Sequence, residues 1–339
     1  METIRMGIIG AGGISRGHGK RLIARGDVRI AALAEPSEDM VRLFNETVLP
    51  AGPAPKVYKD HRALLAGEEL DAVLIASPHT LHFRQIMDSL DAGLHVLAEK
   101  PMVCTVEEAE KVVRKAESAG RHVVVSYQRR FLAQFRYMRQ FIRDPAFGRL
   151  FVLSVVQTQG WWTSQRGTWR QDPALSGGGQ LNDSGSHVVD VMNWILPDPV
   201  VEVTAFCDNR GTAVDIDSVL CFRTAAGALG SITILGSAQH RGFCEDWTLS
   251  GDGGRTLLVR QDGAPLVIRA SAELGGELQD VADFGGCTGT DPDNHFIEVI
   301  QGRATNESPP ENFLPTIRFT HACWRSAAKG GRPVRIKDW

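Results

Sequence analysis

A lysine that closes a buried apolar run is well placed to meet a ligand. Glu99-Lys100-Pro101 follows His95-Val96-Leu97-Ala98, and in open α/β sheets ligands bind at the carboxyl ends of the strands. Pro101 has no N–H and biases Lys100 away from helix, which predicts a lysine held extended at the sheet rim. Alone, the tripeptide reads as ordinary solvated charge; its place after a glycine-rich turn and before a second domain reverses that. A second cluster is Asp183 and His187, within Ser176-Gly177-Gly178-Gly179-Gln180-Leu181-Asn182-Asp183-Ser184-Gly185-Ser186-His187-Val188-Val189-Asp190. Val188, Val191, Met192 and Ile195 keep helical spacing, so Asp183 is expected in a first helical turn, sharing a face with His187 at i, i+4. A carboxylate beside an imidazole can fix its tautomer and raise its pKa. The competing reading, an N-cap aspartate and a core histidine, fits this segment equally well.

The elements that must position these groups come first in the chain. Ile4 to Ile9 reads as a buried strand running into Gly10-Ala11-Gly12-Gly13-Ile14-Ser15 and then a helix to about Arg25. This strand–turn–helix is the context a dinucleotide fingerprint requires: Gly10 for the tight turn, Gly12 for close approach of a pyrophosphate, the helix N-terminus to hold it. Ser15 stands where Gly or Ala is usual. Gly17 and Gly19 fall inside the helix, and local sequence offers no reason for either. The next strand, Val28 to Ala34, ends in Glu35, near the spacing of a ribose-binding acid. A carboxylate there suits NAD and repels the 2′-phosphate of NADP; the alternative is a cap on the helix from Ser37. The joint pattern favours NAD binding.

Buried strands recur at Asp71 to Ala76, His95 to Glu99 and Val123 to Val125, with helices between that end at Gly93 and Gly120. Alternating strands and helices predict a doubly wound parallel sheet over residues 1–127. Leu49 to Pro55, with three prolines, must be a loop. After a helix from Phe131 to Ile142 the rhythm changes. Strand-like runs at Leu150 to Thr158, Val200 to Cys207, Ser218 to Arg223, Leu229 to Leu235, Glu245 to Ser250, Thr256 to Val259 and Leu266 to Ala270 predict a large, mostly antiparallel open sheet over residues 128–339. Helices are expected at His295 to Gln301 and about Phe313 to Ala328. Val334 to Ile336 reads as a last strand, with the final segment a candidate to pack back on the first domain.

Composition narrows the function classes. The 339 residues carry a formal charge of −3, which gives no basic field for nucleic acid or an anionic membrane. The six cysteines are scattered, without zinc spacing, so no metal is expected and a reducing compartment is. No signal-peptide pattern or membrane-length apolar run is seen, and the expected location is cytoplasmic.

Gly10-x-Gly12, Ser77-Pro78-x-x-x-His82, Glu99-Lys100-Pro101 and the Gly-Gly-Gly-Gln-Leu-Asn-Asp183-Ser-Gly-Ser-His187-Val-Val-Asp190 run together resemble the Gfo/Idh/MocA oxidoreductases, over nearly the whole chain. The resemblance implies a Rossmann domain followed by an α/β domain whose sheet makes dimers or tetramers. It implies hydride transfer between a sugar or polyol and nicotinamide, with Lys100, Asp183 and His187 catalytic. His187 would take the hydroxyl proton, Lys100 would polarise the reacting oxygen, and Asp183 would position its neighbours. The Lys100–Pro101 bond is expected to be cis. Gly10, Gly12, Gly13, Ile14, Glu35, Ser77, Pro78, His82, Glu99 and Lys100 form the expected cofactor site. Gln128, leaving the last strand of the first domain, and Trp169 and Arg170, whose ring and guanidinium suit sugar C–H groups and hydroxyls, join Lys100, Asp183 and His187 as the expected substrate contacts. The competing reading makes the tryptophans core or interface anchors. Other relatives cleave glycosides by transient oxidation with bound NAD, or sense ligands without turnover.

Overall fold

The computed structural model describes residues 3–336 except 51, 241, 263–265, 272 and 274. Ala51, in the expected loop 49–55, and both chain ends therefore lie outside the described residues. The chain divides into two compact units: residues 1–128 with 290–314, and residues 129–289 with 315–339.

The first unit begins with β1 (Ile4–Ile9), α1 (Gly13–Ala24), β2 (Val28–Ala34), α2 (Glu38–Val48), β3 (Lys56–Tyr58) and α3 (His61–Gly67). It continues with β4 (Ala72–Ile75), α4 (His82–Asp91), β5 (His95–Glu99), α5 (Val106–Ala119) and β6 (Val123–Ser126). The strands form one parallel sheet in the order β3-β2-β1-β4-β5-β6. Its order reverses between β1 and β4, the switch point where such sheets open a crevice. Strands buried on both faces explain the continuous apolar runs, as in Ala72-Val73-Leu74-Ile75. Helix boundaries follow local chemistry. Ser37 and Asp60 cap α2 and α3, Thr105 and Glu108 make a capping box on α5, and Gly120 ends α5 in the left-handed region.

The second unit opens with α6 (Ala133–Arg143), β7 (Leu150–Gln159), the short turns α7 (Trp161–Ser164) and α8 (Pro173–Ser176), and α9 (Ser186–Ile195). The strands β8 (Val200–Asp208), β9 (Asp217–Thr224), β10 (Leu229–Leu235), β11 (Phe243–Gly251), β12 (Thr256–Asp262), β13 (Val267–Ala270) and β14 (Gln279–Asp280) follow. Then come α10 (Pro292–Ile300), α11 (Leu314–Ala328) and β15 (Val334–Arg335). Nine strands form the sheet β14-β13-β12-β11-β7-β10-β9-β8-β15, antiparallel except where β10 runs parallel to β7. One face, including Leu153, Val155, Leu220, Phe222, Ile232 and Trp247, packs in a core with Val188, Met192 and Ile195 of α9 and Phe319 and Cys323 of α11.

The end of the chain is shared differently from the expected split at residue 128. Phe296 and Ile297 of α10 enter the core of the first unit beside Ile8, Leu22 and Phe44, and Asp291 caps α10 with Pro292 at its first position. The closing strand β15 instead pairs with β8 in the second sheet. The α1 glycines also separate. A Cβ on Gly19 would stand 2.8 Å from Val48 Cγ1 and 3.1 Å from Phe44 Cζ, so glycine lets α1 lie close on α2. A Cβ on Gly17 would meet only the Arg21 side chain, at 3.6 Å, and nothing in the structure explains that residue.

Candidate active site

The glycine turn after β1 is built for close approach. Gly10 has φ +92°, and a Cβ there would lie 2.8 Å from the Ala76 carbonyl oxygen at the end of β4, so only glycine lets the two strand ends meet at the switch point. Around Gly12 the opposite holds: a Cβ would find nothing within 4 Å. Among the described residues no side chain caps α1, in contrast to α2, α3 and α5. The amides of its first turn, with the positive end of the helix dipole, are therefore left without a side-chain cap beside the open space at Gly12, a seat for a pyrophosphate. Ile14 is 51% exposed on the same turn. Ser15 is buried and donates its hydroxyl to the Gly12 carbonyl, which explains why a serine replaces the usual small apolar residue.

Glu35 closes one side. Its carboxylate accepts from the Ala11 amide at 2.8 Å and the Ser37 amide at 2.9 Å. It is thus both the helix-side acceptor and a carboxylate fixed beside the glycine turn, with lone pairs left for two ribose hydroxyls. These residues fit a dinucleotide. Across the switch point, the Ser77 hydroxyl bonds Gln85 at 2.6 Å. His82 is fully buried, its ring nitrogens 2.9 Å from the carbonyls of Ser77 and Pro101. Burial pushes its pKa down. His82 therefore ties the Ser77-Pro78 loop to the segment after Lys100 from beneath, without a face of its own on the crevice.

Glu99 and Lys100 point different ways. The Lys100–Pro101 peptide is cis, as expected. Lys100 is half-buried at the rim, whereas Glu99 is buried with its Oε1 2.9 Å from His18 Nε2. Gln128 is exposed after β6.

In the second unit, Asp183 does not begin the helix. The segment 180–185 forms successive turns and α9 starts at Ser186. Asp215, just before β9, grips the chain upstream of Asp183. Its Oδ1, main-chain oxygen and Oδ2 accept from the amides of Gly179, Gln180 and Leu181 at 3.0, 2.8 and 2.8 Å, which spends three consecutive donors outside any helix. A Cβ on Gly179 would fall 1.9 Å from the Asp215 oxygen, so this grip needs glycine. Asp183 Oδ2 accepts from Trp161 Nε1 at 2.8 Å and Arg170 Nε at 3.0 Å. Two donors, one cationic, fix the plane of the carboxylate. The Arg170 guanidinium also stacks 4.4 Å from the centre of the Trp169 ring. Trp169 and Arg170 are half-buried, and Trp161 is buried as the anchor beneath them. His187 is half-buried on the first turn of α9, with Nδ1 buried.

Two ion pairs brace this unit. Arg130 is bidentate on Asp190, at 2.6 and 3.0 Å, three residues beyond His187. Arg129 is bidentate on Glu245, at 2.6 and 2.9 Å, and Gln157 and Trp247 donate to the same carboxylate. The segment from Tyr127 to Phe131 is expected from sequence to line the cleft, but Arg129 and Arg130 are buried in these pairs, and Asp215, Asp190, Glu245 and His18 take no role from sequence alone. The available signals were a histidine on the buried stripe Ser15, His18, Leu22, and two arginines directly after a buried strand.

A doubly wound sheet with an uncapped first helix, a fixed acid after its second strand and a lysine on the same edge defines a dinucleotide-binding protein. Family profiles agree. Residues 4–127 match the oxidoreductase family with an NAD-binding Rossmann fold, and residues 135–256 match the GFO/IDH/MocA C-terminal domain. The chain belongs to the GFO/IDH/MocA oxidoreductase family, and its first unit is the family's NAD-binding fold. The rhizopine catabolism protein MocA of Rhizobium meliloti is 31% identical over 200 residues, 58% of each chain. The myo-inositol 2-dehydrogenase of Thermotoga maritima is 26% identical over 68% of this chain and 67% of its own. The chain spans only 54–58% of the length of the first curated relatives it matches. A levoglucosan dehydrogenase solved with NADH has the same fold throughout, with a TM-score of 0.84 and 18% identity over 100% of both chains.

Proposed function

We propose that the protein is an NAD-dependent dehydrogenase of a sugar or polyol. The observation that carries this reading is the uncapped amino end of α1 beside the Glu35 carboxylate, on the sheet edge that also carries Lys100. The names of the relatives supply the substrate class. Gly10, Gly12, Gly13 and Ile14 would receive the pyrophosphate, Glu35 the adenosine ribose, and Ser77 and Pro78 the far side of the crevice. His82 and Glu99 support that site from within. NAD, when bound, supplies the oxidising carbon of the nicotinamide. His187 takes the substrate hydroxyl proton at Nε2, since Nδ1 is buried. The Lys100 ammonium stabilises the developing alkoxide. Asp183, held by Trp161 and Arg170, orients its neighbours, and Trp169, Arg170 and Gln128 contact the substrate. The glycosidase and sensor readings gain no support from these relatives. The test is NAD reduction, followed by absorbance, across a panel of inositols, aldoses and anhydro-sugars. Net reduction on one of them is expected, and tight NAD binding with no reduction of the panel would sink the dehydrogenase reading.

Cofactor choice rests on Glu35. Hydrogen bonds to a charged group are worth about 1.5–3 kcal/mol, so Glu35→Ala should weaken NAD binding by about 10- to 100-fold. It should weaken NADP binding far less, because the 2′-phosphate no longer meets a carboxylate. Calorimetric titration of both dinucleotides measures this, and equal losses for the two would remove Glu35 from the ribose site.

Self-association is proposed through the second sheet. Its face away from α9 and α11 exposes Val152, Val156, Phe206, Val219 and Leu229, with Phe206 at 61% exposure. Val156, Thr233, Val219 and Phe206 form one continuous row across β7, β10, β9 and β8. An apolar sheet face of this extent calls for a cover, and a second copy meeting it face to face gives a homodimer or, with a further contact, a tetramer. Phe206→Glu with Val219→Lys should yield a monomer by sedimentation velocity, whereas a wild-type monomer would end the proposal. All six cysteines are free thiols, which fits the proposed cytoplasmic location. Among the described residues no helix is long and apolar enough to cross a membrane.

A further inference from the structure

His18 is 1% exposed and meets three elements of the first unit at once. From α1 itself it faces β5 through Nε2, 2.9 Å from Glu99 Oε1, and α10 through Nδ1, 2.7 Å from Asp293 Oδ1. Asp293 Oδ2 accepts from Arg21 Nε at 2.5 Å, and the Arg21 guanidinium comes within 3.2 Å of His18 Nδ1. Asp291, at the start of α10, lies 3.8 Å from Arg21. Glu99 Oε2 accepts from the Lys100 amide at 3.3 Å, the Ser126 hydroxyl of β6 also donates to Glu99, and the Lys100 charge acts on it.

The protonation states follow from the donors. Arg21 donates to Asp293 and the Lys100 amide donates to Glu99, so each ring nitrogen of His18 faces a carboxylate already acting as an acceptor. Each ring nitrogen of His18 therefore needs a proton, which only the imidazolium supplies. Burial alone would pull the imidazole down, but its bonds to Asp293 and Glu99 outweigh that and raise its pKa to about 9. Burial would likewise lift Glu99, but the bond to His18 and the His18 and Lys100 charges bring it down to about 2. A buried cluster of this kind is dear in desolvation, and an apolar side chain would fill the space more cheaply. What an apolar residue could not do is hold the residue before Lys100 against the helix whose amino end awaits the dinucleotide.

We propose that His18 is a positioning residue for Lys100, an imidazolium that draws Glu99 against α1 and so fixes where the lysine leaves the sheet rim relative to the glycine turn. This rests on the reading of Lys100 as the polarising group. A displacement of about 1 Å at a reacting group can cost up to about 100-fold, so His18→Gln should lower kcat by about 10- to 100-fold. The NAD dissociation constant should change far less than kcat, because Glu35 and the α1 amides are untouched.

The experiment has two readouts that need no substrate. In the wild-type apoprotein the His18 ring resonances are followed against pH by NMR, and lysine amines are labelled by reductive methylation with carbon-13, Lys100 being assigned with Lys100→Arg. The ring should stay protonated through neutral pH, and the Lys100 resonance should shift and change its titration in His18→Gln. Asp293→Asn, which removes one acceptor and keeps the imidazole, should move both in the same sense and serves if His18→Gln fails to fold. The thermal stabilisation of wild type over His18→Gln should be full below pH 6.5, the ordinary histidine value, and fade as pH rises through about 9. A ring that deprotonates below neutral pH overturns the proposal. So does a Lys100 resonance unmoved in a folded variant that only melts earlier, which is the signature of a merely structural histidine. If wild type turns over no sugar, the dehydrogenase reading fails while the two NMR readouts still decide the role of His18.

Discussion

Replacing His187 with alanine is expected to lower kcat by about 10²–10⁴-fold, the usual contribution of a general acid–base group. His187 is the one imidazole on the first turn of α9, half-buried, with its Nδ1 side inward, so truncation removes the Nε2 proton acceptor and little packing. The NAD dissociation constant should be unchanged, since the dinucleotide site lies in the first unit. His187→Gln keeps a polar group of similar reach but cannot accept and release a proton near neutral pH, and should lose about as much. Turnover of the alanine variant within a few-fold of wild type, in protein of unchanged melting temperature, would take the proton-transfer role away from His187.

How much of this was legible in the residues depends on how far apart the interacting groups lie. The strand–turn–helix at Gly10, the stops at Gly93 and Gly120 and the change from alternating helices to successive strands are local patterns, and the structure keeps them with boundaries moved by a few residues. The cis peptide before Pro101 came through the family resemblance. What stayed hidden is non-local. His18 and Asp293 are 275 positions apart, Arg129 and Glu245 are 116 apart, and Gly179 meets Asp215 across 36. No periodicity reports such pairs. A buried-stripe histidine or a double arginine shows only that some partner must exist. The turns before α9 are also gripped from a distance. Helical spacing after Val188 is real, but the grip of Asp215 on three amides upstream cannot be read from the segment it grips. Gly19 likewise needs the packing partner, Val48, before its lack of a side chain makes sense.

The largest stability effect should come from Asp190, the last acid of the Asp-x-x-x-His-x-x-Asp spacing. It is wholly buried on α9, and Arg130, itself 3% exposed, grips both its oxygens. Burial pushes its carboxyl pKa up, with the Arg130 charge and bonds pulling the other way, so the pair stands only because the two are together. Asp190→Ala leaves a guanidinium buried without its counter-charge and should cost about 3–5 kcal/mol. Replacing both by apolar groups of similar volume, Arg130→Met with Asp190→Leu, removes charge and counter-charge alike and should recover most of the loss. Urea unfolding followed by tryptophan fluorescence reads this, since Trp194 lies 5.8 Å from the Arg130 guanidinium. A double variant no more stable than Asp190→Ala would mean that the pair holds α9 through its geometry and not through neutralised charge. The same comparison separates the roles within the motif. If Asp190 only braces the helix, the apolar pair should keep kcat within about tenfold of wild type, against the far larger loss expected for His187→Ala.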